Sequence, residues 1–263
     1  MLAALKTIPT TLLAQYKQQV SASLQTQFEA LKDADSSTPS FSFYTSVSAI
    51  ASSRIEGEQM EIDSYLKHKM LNTDYQPDLV QKPNDLYNAY LFAQQNPLNA
   101  ANFFAAHRLI TAHLLPPNKH GALRSGNVVV MEHNTGRIQF EAAAPHRVKP
   151  LLASVWADID LLMAQPLSHA EVFYFAAFIH LIFVCIHPFD DGNGRAGRLL
   201  EKWFIAQKLG PKAWFLQSEL LYYNNVNHYY KNLNCLGIFY DELDYSKATA
   251  FLLMLVEGME VRK

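Results

Sequence analysis

The chain has 263 residues, of which 49% are hydrophobic and 17% are charged, and its formal net charge is -2. Such a composition is that of an ordinary globular protein with a sizeable core, and the nearly balanced charge disfavours nucleic acid as a direct partner. Two cysteines, Cys185 and Cys235, are too few for a disulfide framework, so a cytoplasmic location is expected.

No segment is predicted to enter a membrane. Residues 1–20 lack the continuous apolar block of a signal peptide. The longest apolar run, Val172 to Ile186, is interrupted by His180 and is shorter than the roughly 20 residues that a bilayer-spanning helix needs. We therefore expect no membrane partner.

Helical patterns dominate the chain, so the fold is expected to be mainly α. The helices predicted in the first half of the chain lie at residues 10–32, 43–55, 84–95 and 101–115. Turn-forming residues at 33–40 separate the first two, and Gly57 ends the second because glycine readily adopts the conformation that terminates helices. The pair Pro116-Pro117 ends the fourth.

The exception to this pattern is the segment 127–140. Its β-branched residues flank the turn-forming cluster Asn134-Thr-Gly136, which predicts a β-hairpin. A lone hairpin is only marginally stable and must pack on the helices, while its exposed edge can pair with an incoming peptide. The alternative is that the hairpin only connects two helices and has no role in binding.

The second half is predicted to contain a central helix. Ser168 and Glu171 have the spacing of a capping box, and nearly every position from Val172 to Ile186 is apolar, as in a helix surrounded by others. This helix should end at His187-Pro188, since proline disfavours helical geometry in the residue before it. Another core helix is expected from about Asn193 to Leu209, so the loop between the two is held rigidly.

Residues 187–198 read His-Pro-Phe-Asp-Asp-Gly-Asn-Gly-Arg-Ala-Gly-Arg. Glycines allow backbone N–H groups to surround an anion, a helix N-terminus attracts the same charge, and arginine binds phosphate oxygens as a planar fork. The candidate phosphate-binding residues are Gly192, Asn193, Gly194, Arg195 and Arg198. Two solvated arginines are the alternative interpretation.

A histidine and two aspartates add chemistry to this phosphate site. Asp190 or Asp191 would repel a polyphosphate unless a cation lay between them, which indicates a divalent metal, with Mg²⁺ best suited to carboxylate and phosphate oxygens. A neutral imidazole at His187 is suited to taking a proton from a hydroxyl that attacks phosphorus. The alternative is that His187 has only a structural role at the end of a buried helix, with its hydrogen bonds made inside the fold. The motif therefore predicts metal-dependent nucleotide chemistry.

The segment 187–198 resembles the signature of the Fic family, His-x-Phe-x-(Asp/Glu)-Gly-Asn-Gly-Arg-x-x-Arg, at every specified position. Gly121-Ala-Leu-Arg124 and the hairpin after it resemble the family's flap. The resemblance implies an all-α, Fic-type helical bundle with a small β-hairpin flap. It divides the chain into an N-terminal helical region (1–83), a Fic core (84–240, with the flap at about 127–140) and a C-terminal helix (241–263) that packs on the core.

The resemblance implies transfer of AMP from ATP to a Tyr, Thr or Ser hydroxyl of a target protein, with release of pyrophosphate. His187 would then be the catalytic base. Asp191, rather than Asp190, would hold Mg²⁺. Asn193 and the loop amides would contact the α-phosphate of ATP.

The same resemblance assigns the remaining contacts. Arg195 and Arg198 would hold the β- and γ-phosphates. The flap residues that would dock the target by strand-like hydrogen bonds are Val128, Val129 and Val130. Tyr230 is the nucleobase candidate, since helices in this region of the family contribute to the adenine pocket. Tyrosines that merely pack at a helix interface are the alternative.

A second match lies upstream, where Ser52-Ser-Arg-Ile-Glu56-Gly57 resembles the family's inhibitory motif, (Ser/Thr)-x-x-x-Glu-(Gly/Asn). Ser52 and Glu56 lie one helical turn apart, and Glu56 is near a helix C-terminus, where its charge is disfavoured unless a cation receives it. The resemblance implies that Arg198 is this cation and that an inhibitory helix at about 43–57 thereby prevents productive ATP binding. By itself the short motif would suit a solvated helix end.

The implied function is an autoinhibited protein adenylyltransferase that uses ATP and Mg²⁺. One alternative is removal of AMP from a modified target, with Glu56 positioning a water molecule, and another is transfer from a different nucleotide. A non-enzymatic, nucleotide-responsive module that holds a peptide on its flap is the third. Dimers occur in the family, so a homodimer is among the partners considered.

Overall fold

The computed structural model describes residues 5–38, 41–131 and 138–259, which form twelve α-helices and one two-stranded antiparallel sheet. The helices are α1 (Leu13–Gln19), α2 (Leu24–Glu29), α3 (Phe43–Ile55), α4 (Ile62–Leu71), α5 (Pro77–Gln95), α6 (Ala100–Ile110), α7 (Pro145–Ala164), α8 (His169–Ile186), α9 (Asn193–Leu209), α10 (Ser218–Asn224), α11 (Val226–Asn234) and α12 (Thr249–Glu257). The predicted all-α fold with a small hairpin is confirmed.

Helix α8 is central, as predicted. The Ser168 hydroxyl accepts the Glu171 N–H and the Glu171 carboxylate accepts the Ser168 N–H, which completes the capping box. Helices α1, α2, α7, α9 and α12 pack around α8. Among the described residues it is the one helix long and apolar enough to cross a membrane, and 78% of this stretch is buried inside the bundle. Burial among other helices accounts for its apolar composition.

Helix α3 brings the predicted inhibitory segment against the core. It packs on α5 and α10, and Gly57 follows its end with a left-handed φ of 89°. Lys202 of α9 donates to the Ser48 hydroxyl of α3 at 2.7 Å and forms a buried ion pair with Glu219 of α10. One cation therefore joins three helices.

The first predicted helix, at 10–32, is wrong as a single element. Val20 has an extended backbone with ψ of 134°, and the chain is divided there into α1 and α2. The Ser21 hydroxyl accepts the N–H of Ser23. Serine side chains that bond to nearby backbone in this way compete with helix formation.

Two other boundaries also differ from the predictions. Helix α5 begins at Pro77 rather than at residue 84, because Pro77 suits a first helical turn and Pro83 is accommodated inside the helix. The proposed division between residues 83 and 84 falls within α5. Helix α6 ends at Ile110 rather than 115, where the Thr111 hydroxyl donates to the carbonyl of His107. Tight turns occupy residues 111–114.

The hairpin consists of β1 (Val129–Met131) and β2 (Ile138–Glu141). Val130 lies opposite Phe140, which packs against the hydrophobic core. The Glu141 N–H donates to the carbonyl of Ile238 at 2.7 Å, so the segment after α11 pairs with the end of β2. The predicted turn at 134–136 lies outside the described residues.

Candidate active site

A cavity of about 280 Å³ lies between the flap, α8, α9 and α11. The predicted site residues that line it are Glu56, Val130, His187, Asp191, Asn193, Gly194, Arg198 and Tyr230. The fold thus brings the predicted base, metal ligand, phosphate loop, inhibitory glutamate and nucleobase candidate to one place. Of the other two flap candidates, Val129 is 41% exposed, and the Val128 carbonyl accepts the N–H of Ala142.

His187 ends α8 in a left-handed conformation, with φ 54° and ψ 61°. This conformation costs a residue other than glycine roughly 1–2 kcal/mol, so the surroundings must maintain it. Nδ1 of the imidazole donates to the carbonyl of Val184 at 3.3 Å, which leaves the lone pair on Nε2. Burial, aided by the nearby Arg124 cation, lowers the pKa of His187 below its ordinary value of 6.5. The imidazole is therefore neutral near pH 7 and able to accept a proton.

The loop after His187 is held by its own side chains. The Asn193 side chain donates to the carbonyl of Phe189 and accepts its N–H, both at 2.9 Å. The Asp191 carboxylate accepts the N–H of Gly192 at 2.6 Å. Gly192 has a φ of 79°, and a Cβ there would lie 3.0 Å from the Thr111 side chain. Asn193 thus braces the loop, and its contact with an α-phosphate stays a prediction.

Arg198 is buried and held by the end of α3. Its Nε donates to the Ser52 hydroxyl at 2.8 Å, and Nη2 donates to the Ser52 carbonyl at 3.1 Å and to Oε1 of Glu56 at 2.6 Å. Burial alone would raise the pKa of Glu56, but the cations of Arg198 and Arg195 hold it below its ordinary value of 4.5. Glu56 is therefore an ionised carboxylate inside the cavity.

Glu56 also lies directly over the start of α9. A Cβ added to Gly194 would be 2.2 Å from Oε1 of Glu56, so only glycine permits this approach. The first turn of a helix favours negative charge because its N–H groups lack intrahelical partners. The Glu56 carboxylate occupies the position that suits an anion, and its side chain is still 28% exposed.

Arg195 has an acidic partner that the sequence analysis missed. Its Nη2 lies 3.1 Å from Oε1 of Glu58, and Lys82 of α5 contacts the same oxygen at 2.9 Å. Arg195 is 3% exposed, and its Nε has no hydrogen-bond partner among the described atoms. Arg195 is not part of the described cavity lining. The available signal in the sequence was Glu58, a second glutamate two residues after Glu56, which could pair with Arg195 as Glu56 pairs with Arg198.

Aromatic and aliphatic side chains also line the cavity. Tyr230 is 40% exposed, and its hydroxyl donates to the carbonyl of Ile55 at 3.4 Å. Leu233 and Phe140 line the same region. The hydroxyl of the neighbouring Tyr229 accepts from Arg198 at 3.4 Å. A planar ring and aliphatic surface therefore lie beside the phosphate loop.

His107 is a further residue that the sequence analysis missed. Its ring stacks on Phe189 at 3.5 Å, its Nε2 donates to the carbonyl of Asp191 at 3.0 Å, and its Nδ1 accepts the N–H of Gly121 at 3.1 Å. Burial lowers the pKa of His107 to about 4, so it is neutral. No sequence motif distinguished it, because it lies on α6, 80 residues before the loop it supports.

Residues 97–205 match the family model for the Fic/DOC family, and this chain therefore contains a Fic domain. The protein adenylyltransferase Fic of Nematostella vectensis is 26% identical over 147 residues. The match covers 56% of this chain and only 30% of that relative's length. The family predicted from the motif is confirmed.

Solved structures share the fold of this chain. A Fic family protein from Desulfovibrio desulfuricans superposes with a TM-score of 0.67 at 20% identity, over 94% of this chain and 69% of that one. A Fic domain-containing signaling protein from Bacteroides thetaiotaomicron superposes with a TM-score of 0.62 at 17% identity, over 94% of this chain and 93% of that one. Fic-1 from C. elegans superposes with a TM-score of 0.66 at 16% identity, over 95% of this chain and 68% of that one. The predicted Fic-type helical fold is thereby confirmed.

Proposed function

We propose that this protein is an autoinhibited protein adenylyltransferase, which moves AMP from ATP to a Tyr, Thr or Ser hydroxyl of a target protein. The observation that carries the proposal is that His187, the N-terminus of α9 and Arg198 face one cavity. A neutral base beside an anion-binding helix terminus suits transfer of a phosphorus-centred group to a hydroxyl.

The reaction follows from these groups. The target hydroxyl gives its proton to Nε2 of His187 while its oxygen attacks the α-phosphorus of ATP. The bond from the α-phosphorus to the oxygen shared with the β-phosphate breaks, and pyrophosphate leaves. The N–H groups at the start of α9 stabilise the charge on the α-phosphate, and Arg195 and Arg198 hold the β- and γ-phosphates.

Asp191 is the residue that we propose as the ligand of Mg²⁺. The described residues contain no group of three or more His, Cys, Asp or Glu side chains suited to a metal. Mg²⁺ bound to nucleotides commonly uses one or two carboxylates together with phosphate oxygens, which fits a single aspartate at the cavity. Asp190 is engaged by Lys119 at 2.9 Å. When bound, the ion would neutralise charge on the phosphates.

Autoinhibition is supported by the position of Glu56. Its carboxylate contacts Arg198 at 2.6 Å and covers Gly194, where a phosphate would otherwise bind. Ser52 fixes the same guanidinium, and Gly57 allows the chain to turn away after the helix. ATP would bind productively only after displacing this carboxylate from Arg198.

The remaining partners are proposals of the same kind. The adenine ring would stack on Tyr230, whose ring is exposed beside the cavity. A target segment would pair with the flap near Val128, Val129 and Val130, of which Val130 faces the cavity. A cytoplasmic location and a homodimer that stabilises α3 complete the proposal.

Removal of AMP from a modified target is a second candidate. It is favoured by one observation, namely that the partly exposed Glu56 carboxylate lines the same cavity as His187. Such a carboxylate is able to take a proton from a water that attacks the phosphorus of a bound AMP group.

Labelling with ATP that is radioactive in either the α- or the γ-phosphate tests the proposal. The proteins are Glu56→Gly and Glu56→Gly/His187→Ala, with a cell lysate as the source of targets. We expect protein-bound α-label with Glu56→Gly, and a loss of roughly 10²- to 10⁴-fold without the imidazole. Bound γ-label above the level that the lysate gives without Glu56→Gly would contradict the proposal. Absence of any label, with release of AMP from a pre-modified protein, would support the second candidate.

A further inference from the structure

Arg124 is a buried cation, and within the described residues its side chain donates only to main-chain carbonyl groups. It is 3% exposed, and the four carbonyl oxygens that accept from its guanidinium belong to Gly126, Ala143, Ile186 and His187. Nε lies 2.6 Å from the His187 carbonyl oxygen, and Nη1 lies 2.7 Å from that of Gly126. A planar guanidinium donates in fixed directions, so it fixes the relative positions of its acceptors.

The four acceptors belong to two different parts of the site. Ile186 and His187 are the last residue and the C-cap of α8, whereas Gly126 precedes β1 and Ala143 follows β2. One rigid group therefore joins the catalytic histidine to both ends of the flap.

The backbone around Arg124 strengthens this connection. Its N–H donates to the carbonyl of Pro188 at 3.0 Å, and Leu123 forms an antiparallel bridge with Phe189. His187 itself has the left-handed φ of 54°, which the contact at its carbonyl helps to maintain. This backbone conformation directs the imidazole into the cavity.

We infer that Arg124 is a positioning residue, which fixes the flap and the His187 backbone relative to each other so that a hydroxyl held on the flap meets Nε2 of the imidazole. The inference rests on the proposed function. Arg124 donates to none of the residues proposed to bind phosphate, so it should affect the transfer step and leave ATP affinity unchanged.

The test compares Arg124→Lys with its parent in the Glu56→Gly background. Lysine keeps the charge but lacks the fork. We expect the maximal transfer rate to fall on the order of a hundredfold, as for a misplaced catalytic group, while the KM for the target changes little and the Kd for ATP stays within about twofold. A parallel loss of ATP affinity and rate would overturn the inference, because a general loosening of the site would then explain both.

Chemical rescue separates positioning from simple packing. Arg124→Ala leaves a space shaped for guanidinium, so free guanidinium, at concentrations far below those that unfold proteins, should restore part of the rate. Sodium chloride at equal ionic strength is the control. If Arg124→Ala folds and guanidinium does not restore transfer, the inference is wrong. If Arg124→Ala does not fold, the kinetics of Arg124→Lys test the inference instead.

Amide hydrogen exchange provides a readout that does not depend on adenylyl transfer. Arg124→Lys should accelerate exchange in residues 187–192 and in residues 128–131 together, with α9 unchanged. Faster exchange in only one of these segments, or in neither, would contradict the coupling. If the Glu56→Gly parent transfers no label, the proposed function fails, and this measurement still decides the role of Arg124.

Discussion

Glu56 and Glu58 each hold one arginine of the Fic motif, and they do so from the same short segment after α3. Glu56 contacts Arg198 at 2.6 Å, and Glu58 contacts Arg195 at 3.1 Å. The carboxylates thus take the two guanidinium groups that we assign to the β- and γ-phosphates. Removing Glu56 alone leaves Arg195 paired.

This arrangement predicts that the two glutamates compete with ATP separately. Glu56→Gly/Glu58→Gln should bind Mg²⁺-ATP roughly twofold to fivefold more tightly than Glu56→Gly, as expected for a competing ion pair worth about 1 kcal/mol or less. Titration calorimetry measures the difference. Glu61→Gln is the matched control, since Glu61 pairs with Arg54 instead. Weaker ATP binding by the double variant would show that Glu58 orients Arg195 for phosphate.

The protonation of His187 gives a second prediction at this scale. Its pKa is lowered below 6.5, and the active form is the neutral one, so activity is present above this pKa and is lost as pH falls through it. The Glu56 carboxylate acts in the opposite direction, so its removal should lower the pKa of His187 further. The maximal transfer rate of Glu56→Gly should therefore reach half of its plateau value at a pH below 6.5. A half-maximal rate above pH 7 would rule out this assignment.

At the scale of elements, helices α3, α9 and α10 are held together by the Lys202–Glu219 pair. Both side chains are buried, Glu219 also accepts from Tyr90 at 2.6 Å, and Lys202 donates to Ser48. The cation and its acceptors place α3 against α9, the helix that carries Arg198. Stability and the proposed inhibition thus depend on the same packing.

Lys202→Met should lower the free energy of unfolding by about 3–5 kcal/mol, because Glu219 would be left buried without its cation. Denaturant titration checks this value. Lys202→Met/Glu219→Gln should recover a large part of the loss, since the amide still accepts from Tyr90. Lys247→Met, which removes an exposed pair with Asp244, should cost less than about 1 kcal/mol. Equal losses for the two lysines would refute the importance of the buried pair.

The sequence was sufficient for elements that are specified locally. The Ser168 capping box and the apolar run after it predicted α8, and Gly57 marked the end of α3. The sequence was insufficient where tertiary contacts determine the boundary of an element, as at Pro83, which is accommodated inside α5. The break at Val20 is accompanied by hydrogen bonds of the Ser21 and Ser23 side chains. Serine also occurs within helices, so these two residues alone did not predict the break.

At the scale of the whole molecule, the site joins segments that are far apart in the chain. The segments that line the cavity or contact its lining are residues 52–58, 107, 121–124, 187–198 and 229–230. The motif itself was evident from its glycines, arginines and histidine. His107 and Glu58 were not, because each is an ordinary residue until the fold brings it to its partner.

The rate of AMP transfer by Glu56→Gly relative to the unaltered chain is the direct test of adenylyl transfer restrained by Glu56. Loss of a charge-assisted contact that holds Arg198 should raise the rate at least about tenfold, equivalent to about 1.4 kcal/mol. Glu61→Gly, altered close to the same segment, should transfer at the rate of the unaltered chain. Equal rates for the unaltered chain and Glu56→Gly, whether both are active or both inactive, would contradict the account.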